Sequence, residues 1–127
     1  MKFEPRRGQA IGRIVVRPPS SSIVRTDETK ETTKFMLLDA VGSDFEERGL
    51  RAGDVVLPRK IHIIQMDGGT SVRPFVEEDD VVLIVRDWTS LDDFYVQTEN
   101  GKAYVPFDDP RAAPSLGIVV ERAAAAA

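Results

Sequence analysis

Short apolar runs cut by turn residues recur along the chain, and this punctuation limits its fold more than any single motif does. "AIGRIVVRP" is rich in β-branched residues and stops at Pro18-Pro19, which cannot donate to a central ladder, so a strand is expected at about 10–17. "KFMLLDAVG" is a continuous apolar run closed by Gly42 and has the length of a strand buried on both faces. "VVLP" at 55–58 follows the tight turn Gly53-Asp54, and "KIHIIQM" and "VRPFV" flank "MDGGTS" in the manner of a hairpin. "VVLIVRDW", after the acids at 77–80, reads as a core strand. Asn100-Gly101 between two β-prone arms predicts a type I′ hairpin. "DDPRAAPS" then reads as a linker and "LGIVVE" as a last short strand, while the terminal alanines suit a frayed helix, a disordered end or an engineered remnant. No segment carries a convincing helical period, so the expected class is all-β, as a small barrel or sandwich.

A chain of 127 residues fits one compact domain, and at 42% hydrophobic it is too apolar to be disordered throughout. The net charge of −4 offers no general footprint for nucleic acid. Lys2, Arg6, Arg7, Arg13, Arg17 and Arg25 do cluster near the start, but no aromatic platform is interleaved with them. They read as a solvated face or a charge-complementary subunit contact. The absence of cysteine excludes disulfides and thiolate metal sites. No apolar run reaches the ~20 residues of a membrane span, and "MKFEPRRGQA" lacks the apolar core of a signal peptide, so a cytoplasmic protein without nucleic-acid or membrane partners is expected.

Residues with catalytic potential are scattered. His62, the one histidine, lies among aliphatics in "KIHIIQ" and reads as structural. Glu77, Glu78, Asp79 and Asp80 could in principle hold a hard cation, but adjacent loop carboxylates diverge and no calcium-loop glycine follows, so a solvated turn is favoured. Asp92-Asp93 and Asp108-Asp109 read likewise, and "DGGTS" fits neither the phosphate loop nor the dinucleotide fingerprint. The expectation is a protein that is not an enzyme, with no catalytic residues, metal site or cofactor.

One stretch resists this bland account. "SSSIVRTDETKETTK", Ser20 to Lys34, is polar and loop-like, yet holds the aliphatic pair Ile23 and Val24. Loops this long are uncommon unless they are functional or disordered. Taken with its flanks, the chain resembles the GroES family of co-chaperonins. "RIVVRP" is similar to the family's opening strand, and "SSIVRTDETKETTKFMLLDAVG" to its mobile loop running into the next strand. "LRAGDVVLP" is similar to its Gly-Asp turn and strand, and "FVEEDDVVLIVRDW" to its late acidic turn and strand. The likeness covers roughly residues 9–96 and rests on the order and spacing of these pieces.

The resemblance implies a GroES-like small β-barrel at 1–96 with a long mobile loop, and leaves 97–127, with its hairpin, as a C-terminal extension. It further implies a homo-oligomeric ring, a heptamer, that caps a chaperonin by burying Ile23, Val24 and Arg25 of each loop in the apical domains. This sequence departs from the family in three places. Arg25 stands where a third aliphatic is usual, the 42–50 region is shorter than the family's roof hairpin, and 97–127 has no family counterpart. Two rival readings remain open: Ile23 and Val24 pack on the protein's own barrel, or the barrel is a structural or assembly module of a symmetric shell that binds no chaperonin.

Overall fold

Each apolar run but the last becomes a strand in the computed structural model, which describes residues 4–17, 33–86, 88 and 93–115. The strand expected at 116–121 lies outside the described residues. In chain order the elements are β1 (Gln9–Val16), β2 (Phe35–Val41), the short helix α1 (Ser43–Glu47), β3 (Val55–Pro58) and β4 (His62–Met66). They continue with β5 (Ser71–Glu77), β6 (Val81–Val85), β7 (Tyr95–Gln97) and β8 (Tyr104–Val105). The strands form one antiparallel sheet in the order β4-β5-β1-β2-β3-β6, with β7 on β1 and β8 on β7. The fold is therefore all-β. Among the described residues no ladder joins β4 to β6, so the sheet is open and does not close by hydrogen bonds into a barrel.

The eight residues of β1 make it the spine of this sheet. Its first part pairs with β5 at Gln9, Ala10 and Ile11, and its last two residues, Val15 and Val16, pair with β7. The other side of β1 runs along β2. Strand alternation then sends side chains to two faces, and both are covered. One face packs Ala10, Ile14, Met36, Leu38, Val56 and Val76 against Phe45 of α1 and Leu50. The opposite face packs Val15, Leu37 and Val55 against Phe94, Val96 and Val105. Phe94 meets Phe35 edge-on at 5.6 Å and Trp88 at 6.0 Å. The two-sided burial expected of "KFMLLDAVG" is thus supplied on one side by the C-terminal hairpin, whose strand β7 runs across residue 96. Burying each such side chain contributes about 1.5–3 kcal/mol, which a hairpin alone in water could not gain.

The face covered by the hairpin also holds a charge pair. Opposite the consecutive β1 residues Ile11 and Gly12, β2 places Ala40 and Leu38, which leaves Asp39 as an extra residue on β2. A bulge of this kind redirects a side chain, and Asp39 meets Arg13 twice, at 3.2 Å from Nε and 3.0 Å from Nη2. Both are buried, Arg13 at 8% and Asp39 at 1% exposure. Gly12 is required there because a Cβ would sit 2.1 Å from the Leu37 carbonyl oxygen. Residues beyond the hairpin complete the site: the Arg13 guanidinium lies over the Phe107 ring at 5.6 Å, and the Ser115 hydroxyl donates to Asp39 at 3.2 Å.

Two expectations are corrected. β6 is a half-exposed edge and not a core strand, with Val82 56% and Leu83 59% exposed, because among the described residues it ends the sheet and pairs only with β3. The Asn100-Gly101 hairpin forms, but not with a type I′ turn, since Gly101 has φ of 79° while Asn100 is not at positive φ. The Asn100 side chain explains this, accepting from the Lys102 N–H at 3.0 Å and the Thr98 hydroxyl at 2.7 Å, so asparagine acts here as a local acceptor.

Breaking the buried pair from one side strands a charge, so Asp39→Ala is expected to cost about 3–5 kcal/mol in urea unfolding. Arg13→Met with Asp39→Leu, which removes both charges, is expected to recover most of that loss. A second expectation concerns alkaline pH. The Tyr104 hydroxyl is buried with no hydrogen-bond partner among the described residues, and burial pushes its pKa above the ordinary value. The unfolded state releases this proton first, so the tyrosine's contribution holds below a pH of about 10 and is lost as pH rises further. Melting curves should show Tyr104→Phe as stable as the wild type or more so at pH 8, with its advantage growing above about pH 10.

Candidate functional site

Ile23, Val24 and Arg25, the residues assigned to partner binding, lie outside the described residues. Their attachment is described. The 18–32 segment links β1 to β2, and these strands pair with Val15 opposite Phe35, so the two ends of the connection are anchored side by side. Val15 and Val16 are also paired with Val96 and Tyr95 of β7. The end of β1 beside the connection therefore has neighbours on both sides, and the Phe35–Phe94 contact adds a clasp across them. Such a root suits a recognition loop, because binding segments work best when carried on a rigid scaffold.

The ends of the sheet offer a second kind of surface. On β4, Ile63 and Ile64 are 47% and 50% exposed, and on β6 the pair Val82 and Leu83 is more so. Successive strand residues point to opposite faces, so each edge strand leaves an aliphatic open on both sides. Next to β4, the face opposite Ala10 and Val76 forms an apolar groove of about 270 Å³, lined by Pro5, Ile11, Ile64, Met66 and Phe75 with Arg73 at its wall. Among the described residues β4 and β6 each have an edge without a strand partner, and such an edge flanked by aliphatics is a template for another chain.

Neither surface was visible as such in the sequence. Val82 and Leu83 sit in the run "VVLIV", whose composition suits a core strand equally well, and only its place at the end of the sheet exposes them. Ile63 and Ile64 lie in "KIHIIQM", which reads as a hairpin arm, but that β4 is the outer strand of the hairpin is set by the pairing of β5 with β1. Among the described residues no helix is long and apolar enough to cross a membrane. No family model matches the chain, and neither the curated proteins nor the solved structures yield a match.

Proposed function

We propose that the chain is the subunit of a co-chaperonin-like ring that caps a GroEL-like chaperonin through the β1–β2 connection and so assists protein folding. The observation that carries this reading is the root of that connection: a polar segment bearing Ile23 and Val24 is strung between two paired strand ends that a third strand braces. Energetics set the form of the assembly. Burying Ile23 and Val24 in an apolar groove contributes about 1.5–3 kcal/mol each, while ordering the loop opposes this by about 1–2 kcal/mol per residue fixed. One loop binds weakly; several on one ring bind at high effective concentration and remain releasable.

The two sheet edges supply a way to build the ring. In a head-to-tail contact the β6 edge of one copy, with Val82 and Leu83, meets the β4 edge and adjoining groove of the next, and such a heterologous contact closes when its rotation divides a full turn. By the family resemblance the number is seven. Arg25 then adapts the hook to a groove with an acidic or polar third position, since its charge buried without a partner is costly.

The same edges favour one rival: a structural or assembly module of a symmetric shell, which needs the edge contacts but not the loop. Two experiments separate the readings. Light scattering with native mass spectrometry should give a small closed ring, and Val82→Lys with Leu83→Lys should weaken each contact by about tenfold or more and yield smaller species. A wild type that stays monomeric at micromolar concentration contradicts the ring. With the ring intact, Ile23→Asp with Val24→Asp should abolish its nucleotide-dependent capture by a chaperonin without changing ring size. Undiminished capture would mean that the loop is not the hook, and a closed shell that no chaperonin captures favours the assembly module.

A further inference from the structure

At the corner where β4 begins and β5 turns toward β6, side chains from three elements converge. His62 opens β4, Glu77 closes β5, and Asp80 ends the 3₁₀ turn Glu78–Asp80. Each offers one ligand atom, and these atoms lie within 4.8 Å of one another. His62 Nε2 is 3.1 Å from Asp80 Oδ2. Two ligands held at about 2.0–2.2 Å from one ion stand about 3–3.5 Å apart, so this pair already has the required spacing. We propose that His62, Glu77 and Asp80 bind one divalent transition-metal ion of the zinc, cobalt or nickel class, with water completing its coordination.

The donor set selects the class. An imidazole with two carboxylates suits zinc and its neighbours, whereas calcium and magnesium take oxygen ligands. The ligands are also held in place. The His62 ring stacks on Phe75, its cross-strand partner, with centroids 4.8 Å apart and planes 18° from parallel. The two carboxylates are fixed by a reciprocal cap, in which each accepts from the other residue's backbone N–H. That cap alone accounts for the acids, but not for the histidine aimed at them. It also leaves them able to bind, because a carboxylate has about four acceptor positions and capping uses one. Supporting hydrogen bonds of this kind orient metal ligands. The ion would tie β4 to the turn that feeds β6, at the corner from which both edge strands leave. This inference does not rest on the co-chaperonin reading.

The composition makes the test clean, since the chain has one histidine and no cysteine. Zinc chloride titrated into the tag-free full chain should show one saturable site by calorimetry, with a shift of the single imidazole's ¹⁵N signals and a rise in melting temperature. His62→Gln should abolish that site. Asp80→Asn and Glu77→Gln should each weaken it at least tenfold, about the least that loss of even a supporting group costs. Glu78→Gln, whose carboxylate faces Arg48 at 3.6 Å, should leave it unchanged. Absence of a saturable site in the wild type, imidazole signals that ignore zinc, or binding that survives His62→Gln would each overturn the proposal.

Discussion

The buried pair of Arg13 and Asp39 constrains this structure more than any other contact. Two charges removed from water are tolerable only when geometry is good and the remaining hydrogen-bonding positions are filled. Here a one-residue bulge on β2 turns Asp39 toward Arg13, Gly12 allows the backbones to approach, and the segment after β8 covers the pair with Phe107 and Ser115. The register of β1 on β2 and the docking of the C-terminal segment thus depend on one another. A register slip of one residue would turn the β2 side chains to the other face and leave Arg13 buried without its partner.

From that pair the rest follows in order. A docked C-terminal segment gives the central strands a second apolar layer, so Val15, Leu37 and Val55 can be as buried as Ile14, Met36 and Val56 on the other face. The same docking sets β7 against the last residues of β1, which braces the root of the 18–32 connection. Aliphatics that the core does not use stand at the sheet ends, on β4 and β6. Stability is concentrated in the middle of the sheet, and the proposed contacts with other chains lie at its rims.

Much of the strand framework was legible because it is local. "VVLP" matches β3 to the residue, and the first strand is offset by only one position, at Gln9–Val16. Burial of β2 on both faces could be read from "KFMLLDAV", but the layer that covers its second face comes from residues 88–112, and no periodicity reports that. The apolar run "KFMLLDAVG" gives no sign of a role for Asp39, because its partner Arg13 is 26 residues away and is met at a bulge. Edge and centre are likewise a property of sheet order, so "VVLIV" looked like core. The meeting of His62 with Asp80 was hidden for the same reason, being 18 residues apart in sequence.

The C-terminal hairpin should therefore form one cooperative unit with β1 and β2. Native-state amide exchange in rising urea tests it directly, because segments that open separately exchange with separate free energies. The amides of Val15, Leu37, Val96 and Val105 should converge on one opening free energy close to that of global unfolding. Exchange of the β7 and β8 amides at a much lower free energy, with β1 and β2 still protected, would contradict it.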